Sequence, residues 1–292
     1  MQENKEIVAL LHLMDDPDAE VFDSVANRLL HYGKDIIPNL EALWEVTVDE
    51  DVQNRIENLI HRANFTELQS ELASWGEDPM PPLFKGALLL ARYRYPELSI
   101  TQYQRLLDQM RRNIWLELNA YLTPLEQINV VNGILYNYYK LEGREITERD
   151  INQYYLNQAL DNKKGNAYSI GILYLTLCEL LDIPIFAVNI PRQFVLAFFD
   201  TQYHFYSPGT RPVQSIQFYI DPVNGMVYTQ NDVDVYLKKL NINKEEEYFK
   251  PLNNNEVMLR MLEEMEQTYQ YGNEYGKAND MQHLAAVLKS NK

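Results

Sequence analysis

Apolar side chains in the first quarter of the chain recur at helical intervals, in short bursts separated by acidic turns. Ile7, Leu10, Leu11 and Met14 form one stripe, and Val21, Val25, Leu29 and Leu30 form a second, the spacing of amphipathic helices. Asp15-Asp16-Pro17-Asp18 ends the first helix and caps the second, because Asp oxygens accept the free amide hydrogens of a new helix. A third helix is predicted from about Ile36 to Val46, with Pro38 tolerated in its first turn. Asp49 opens a fourth, DEDVQNRIENLIHRA. The Gly, Asp and Pro content of GEDPMPP (76–82) then marks a boundary.

Residues 83–141 continue as helices: GALLLARYRYPEL, a segment capped by Ser99 or Thr101, and one started by Thr123-Pro124. The pattern changes at 163. From Ile170 to Leu181 apolar residues cover every side, which predicts a helix buried all round. Four short runs follow, rich in aromatic and β-branched residues: IFAVNI (185–190), FVLAFF (194–199), YHFY (203–206) and IQFYI (216–220). Short turns between them imply an antiparallel meander packed on the buried helix. Beyond 250 the helical period returns, with Met258, Met261, Leu262, Met265 and Tyr269 on one stripe, a break at Gly272–Gly276 and a closing helix. The fold class is α+β, divided into a helical region (1–75), a mixed core (76–250) and a C-terminal helical hairpin (251–292).

Charge and composition narrow the functions available. The 292 residues carry 26 Lys and Arg against 42 Asp and Glu, a net charge of −16, which argues against nucleic acid and anionic lipid as partners. The acid is concentrated in residues 1–75, where 16 carboxylates meet 5 cations; a solvated helical surface accounts for it, and a docking face for a basic protein is the functional alternative. A single cysteine, Cys178, permits no internal disulfide. With no secretory leader pattern at the start and no run near the roughly 20 apolar residues that cross a bilayer, the expectation is a soluble, cytoplasmic chain.

A helix led by Gly and followed by an antiparallel sheet is a scaffold for nucleophilic catalysis. The helix dipole stabilises a thiolate at its N-terminus, a His on a facing strand keeps it deprotonated, and a carboxylate on the next strand orients the His. Three blocks, in order, carry a specific likeness: GALLLARYRYPEL (86–98); NVVNGILYNYYKL through YLNQALDNKKGNAYSIGILYLTLCELLDIPI (129–185); and IPRQFVLAFF with YIDPVNG (190–225). Together they resemble the SirB-type branch of the transglutaminase-like superfamily, whose papain-type core is often followed by a tetratricopeptide-like tail. The C-terminal hairpin resembles such a tail in shortened form. DPDAEVFDSVANRLLHYGKDIIPNLEALW near the start resembles a HEAT repeat, a unit that stacks to present concave binding surfaces.

The resemblance places the family's nucleophile at Ala167, counted from Gly165 to Ile183-Pro184, its catalytic His at Gln193 in Pro191-Arg192-Gln193-Phe194, and its Asp at Asp221. Ala offers no nucleophile, and Gln moves no proton near neutral pH. Cys178 lies 11 residues beyond Ala167, about 16 Å along a helix, among leucines, and reads as core. Asn166, Ala167, Tyr168, Ser169, Gln193, His204 and Asp221 are expected to line a vestigial cleft, with Asp221 fixing its own turn before Pro222. No cofactor is expected, and the five histidines show no metal-ligand spacing. The function expected is a non-catalytic module that binds a protein or peptide; the sequence leaves its oligomeric state open. The alternative is a hydrolase or acyl transferase using a displaced Ser169, His204 and Asp221 set.

Overall fold

The computed structural model describes residues 2–16, 18–145, 150–200 and 212–290. These form two compact units, residues 1–74 and 75–292.

The first unit is helical throughout. It comprises α1 (Gln2–Leu11), α2 (Ala19–Leu30), a 3-10 turn at Gly33–Ile36, α3 (Ile37–Val46) and most of α4 (Glu50–Gly76). Asp18 caps α2 by accepting from Glu20 N at 2.9 Å, and Asp49 accepts from the amides of Asp51 and Val52 at the start of α4. Met14, Val25, Leu29, Ile36, Leu40, Ile56 and Leu59 make one apolar core. At 27 residues, α4 is much longer than the pattern from Asp49 predicts. Helix-forming residues continue past Ala63, and Leu68, Leu72 and Trp75 keep burying one face.

The second unit begins with α5 (Leu83–Ala91), α6 (Ile100–Glu117) and α7 (Pro124–Asn132), the last closed by a reciprocal Thr123–Glu126 cap and continued as a wide π turn through Tyr138. A parallel pair then appears that the sequence pattern does not reveal. Strand β1 (Glu142–Arg144) aligns with β2 (Lys164–Asn166), with α8 (Leu156–Asn162) between them. Each strand has only three residues, too few for an alternation to register. Gly143 is needed because a β-carbon there would fall on the Val223 carbonyl.

From β2 the chain enters α9 (Ala167–Glu179), in which every residue from Ala167 to Cys178 is buried. This is the helix that the all-round apolar pattern predicts. It packs against β3 (Ile185–Val188) and β4 (Val195–Phe199), the first half of an antiparallel sheet ordered β3-β4-β5-β6 with β5 at Ile216–Ile220 and β6 at Val227–Tyr228. The run YHFY (203–206) lies outside the described residues. After the short helical turn α10 (Pro212–Ser215) and the sheet comes α11 (Gln230–Lys239). Its Val233 and Leu237 cluster with Val188, Ala197, Phe199 and Tyr219. Helix cover on this sheet face and on α9's explains why β3 and β4 read as unbroken apolar runs. Helices α12 (Asn254–Tyr271) and α13 (Tyr275–Ser290) form the expected hairpin, with Met258, Met261, Leu262, Met265 and Tyr269 all buried. The hairpin belongs to the same compact unit as the sheet.

Candidate functional site: a cleft at the start of the buried helix

The start of α9 is held in place by neighbours of Ala167 rather than by Ala167 itself. Asn166 Oδ1 accepts from Tyr168 N (2.9 Å) and Ser169 N (3.1 Å), while Ser169 Oγ accepts from Asn166 N (3.1 Å). That is a reciprocal cap, satisfying amides the helix itself cannot reach. Ser169 Oγ also donates to Gln153 O at 2.6 Å. Gly165 leaves room for this hydroxyl; a β-carbon at 165 would collide with it. The arrangement leaves Asn166 Nδ2 buried without a hydrogen-bond partner, a local cost accepted in fixing the turn.

Beside this helix start lies a cleft of about 900 Å³. Ala167, Tyr168, Gln193 and Asp221 all line it. The structure therefore brings together the three positions matched to the family's catalytic roles, from a helix N-terminus, the β3–β4 turn and the β5–β6 turn. Asn166 and Ser169 do not line the cleft; both are buried, because the reciprocal cap turns their side chains to the backbone. His204 lies outside the described residues, and Cys178 is fully buried in α9 with its thiol pushed well above the usual range by that burial.

Each wall has identifiable supports. The Gln193 turn is pinned by Tyr236 Oη donating to Pro191 O (3.1 Å) and by the Arg260 guanidinium, which donates to the carbonyls of Val188 (3.5 Å) and Gln193 (3.4 Å). Phe194 stacks on Tyr168 with ring centroids 4.4 Å apart, and Tyr168 in turn stacks on Tyr154. Gly171 admits the Phe194 ring, which a β-carbon would meet at 2.6 Å. On the opposite side Asp221 Oδ1 accepts from Val223 N (2.8 Å), the turn-fixing role its place before Pro222 suggests. Tyr136 donates to Pro222 O and Asn132 Nδ2 to Gly225 O, both at 2.8 Å, so two side chains from the α7 region fasten that turn.

The electrostatics of the cleft are negative. Among the described residues Glu145, Asp221, Asp232 and Glu264 line it with one guanidinium, Arg192, and Arg260 acts on Glu264 from nearby. Burial pushes the Asp221 carboxyl above the ordinary carboxylate range and nearby Glu145 adds to the rise, while the Val223 amide opposes it. Burial also raises Glu264, with Glu263 adding to the rise and Arg260 opposing it. Among the described residues no group of three or more His, Cys, Asp or Glu is placed to hold a metal ion, and no helix is long and apolar enough to cross a membrane.

One wall escapes the sequence reading. Glu264, Gln267, Thr268, Gln270 and Tyr271 come from α12, a helix that the pattern assigns to a separate C-terminal hairpin. The only signal available is that α12 buries one stripe while its neighbouring face mixes carboxylates, amides and an aromatic ring.

Comparison with known proteins agrees with this geometry. Residues 101–263 match the model of the Transglutaminase-like superfamily, a span that ends inside α12 and so includes most of the cleft. A UPF0162 protein of Xylella fastidiosa is 27% identical over 150 residues, covering 51% of this chain and 48% of that protein. UPF0162 protein YchA of Escherichia coli is 26% identical over 162 residues, 54% of each chain. Human F-box only protein 21 is 30% identical over 197 residues, covering 65% of this chain but 29% of the relative. The chain thus matches about half the length of the UPF0162 relatives. No solved structure matches. With the family model covering residues 101–263, more than half of the sequence, the chain belongs to the transglutaminase-like superfamily.

Proposed function

We propose that this chain is a non-catalytic member of the SirB-type branch, and that its cleft binds an extended segment of a protein partner. The observation that carries the reading is the lining of the cleft. At the nucleophile position stands the methyl group of Ala167, at the base position the amide of Gln193, and Asp221 spends one oxygen on its own turn. Tyrosine rings and side-chain amides fill much of the remaining wall, residue types that supply stiff surface and adaptable hydrogen bonds. A cleft of about 900 Å³ is at the upper end of the range for small-ligand sites, which suits several residues of peptide.

The HEAT-like helices of residues 1–75 and the tetratricopeptide-like hairpin of 251–292 belong to the same proposal, as modules of a kind that carry protein-binding surfaces. The likeness to human F-box only protein 21 is in keeping with a role among protein partners for this chain. The alternative of a displaced Ser/His/Asp set gains nothing from Ser169, whose hydroxyl is buried and bonded to the Gln153 carbonyl.

The test is turnover. Purified chain incubated with peptidyl amide, thioester and glutamine-donor substrates is expected to release product no faster than buffer. Turnover that disappears in Asp221→Ala would overturn the non-catalytic reading.

A further inference from the structure

Among the described lining residues four carboxylates face one cation, Arg192, and the carboxylates are not equivalent. Asp232 is occupied: it accepts from Thr229 N and Thr229 Oγ1 at the start of α11. Asp221 and Glu264 differ from it. Each is part-buried; Glu145 adds to the rise of Asp221, while for Glu264 the attraction of Arg260 outweighs the repulsion of Glu263, which pairs with Lys289. The Arg260 guanidinium also donates to the Val188 and Gln193 carbonyls. Asp221 and Glu264 thus sit in a partly desolvated concavity whose described lining holds more carboxylates than cations, and a guest with positive side chains would complete it.

From this we infer that the cleft selects an extended peptide segment carrying Lys or Arg, with its cationic groups on Asp221 and Glu264. The inference rests on the peptide-groove reading above and adds the chemistry of the guest. Two further features fit. Tyr228 and Tyr271 add ring surface to the cleft lining, against which the methylene stem or charged head of Lys and Arg packs favourably. The chain as a whole carries a net charge of −16, which draws a basic segment in and repels an acidic one. A peptide fits the observations better than a compact cation. The two carboxylates come from different elements, one from the β5–β6 turn and one from α12, and a peptide carries several cationic groups to meet them.

Three fluorescein-labelled ten-residue peptides test this, identical except that alternate positions carry Lys and Arg, Gln, or Glu. Binding is followed by fluorescence anisotropy at two salt concentrations. The basic peptide is expected to bind at least about tenfold more tightly than the Gln peptide, the scale of one charge-assisted hydrogen bond. The advantage should shrink at higher salt. The double variant Asp221→Asn/Glu264→Gln should erase it. Asn keeps the acceptor that Val223 needs, and each single variant provides a check should the double variant unfold. Asp108→Asn/Glu117→Gln, on exposed positions of α6 outside the cleft lining, should leave it intact. Equal binding of the basic and Gln peptides overturns the charge selection and leaves the groove standing. An equal loss in the α6 variant also overturns it, since the general field of an acidic chain would then be responsible. Binding of none of the three peptides defeats the groove reading itself.

Discussion

The hydroxyls of Tyr155 and Tyr269 meet at 2.9 Å in the interior, joining residues 114 positions apart. Tyr155 leads into α8 and Tyr269 belongs to α12, so the bond ties the helix that supplies one cleft wall to the centre of the unit. Tyr155 is fully buried and Tyr269 is 2% exposed, which leaves neither hydroxyl a route to water if the other is removed. Tyr155→Phe and Tyr269→Phe should each lower unfolding free energy by about 1–3 kcal/mol, the cost of an orphaned buried hydroxyl. The double variant should lose less than the sum of the two, because no orphan then remains. Urea unfolding of the four proteins measures this, and strict additivity would show that the bond does not form.

The thiol and the seat at position 167 should respond to alkylation in opposite ways. Cys178 is fully buried and its thiol is raised by desolvation, so iodoacetamide should leave native protein unmodified at neutral pH and modify it only after denaturation. In Ala167→Cys the new thiol should be alkylated in native protein, since position 167 lines the cleft. Ala167 is only 5% exposed, so the added sulfur must reach into the cleft to react. Intact-mass spectrometry counts the adducts, and a native Ala167→Cys chain without one would show that the sulfur does not reach it.

Asp221 should set a pH dependence of stability whose sign can be worked out. Its folded-state pKa lies above the ordinary value, so the fold favours the protonated form. The stability this contributes is complete below the unfolded pKa and is lost as pH rises through the folded pKa. At neutral pH, then, Asp221→Asn should be more stable than the parent chain, and the difference should vanish as the solution is acidified through the carboxylate range. Thermal unfolding from pH 3.5 to 7.5 follows the difference; a gain that grows on acidification would refute the assignment.

Gly143→Ala should be among the more damaging single-methyl additions. The new β-carbon would land on the backbone of Val223, two residues from Asp221, where no side chain can swing aside. Overpacking of this kind costs about 1–3 kcal/mol or more. Chemical denaturation gives the number, and a neutral result would mean that β1 does not lie against the Asp221 turn.

Most of the core was legible because burial leaves strong patterns. The all-round apolar run at 170–181 gives α9, and the aromatic and β-branched runs at 185–190, 194–199 and 216–220 give three strands of the sheet. The pair β1–β2 was not legible, since three-residue strands show no period and are set by backbone pairing across an intervening helix. Helix α11 was missed for a different reason: Val233 and Leu237 are its only buried residues, too few to form a readable stripe. At the site, the resemblance picks out Ala167, Gln193 and Asp221, and all three line the cleft. Asn166 and Ser169 flank Ala167 in sequence and are expected in the cleft, but the cap geometry directs them to the backbone. The α12 wall carried no motif, and only the fold brings it to the helix start.

The cap at the head of α9 has a consequence for how this site can change. Gly165, Asn166 and Ser169 hold the helix start through their own atoms, and none of those bonds involves the side chain at 167. Architecture and chemistry are therefore carried by different residues within five positions of one another. The side chain at 167 can be exchanged for another small one without rebuilding the turn beneath it.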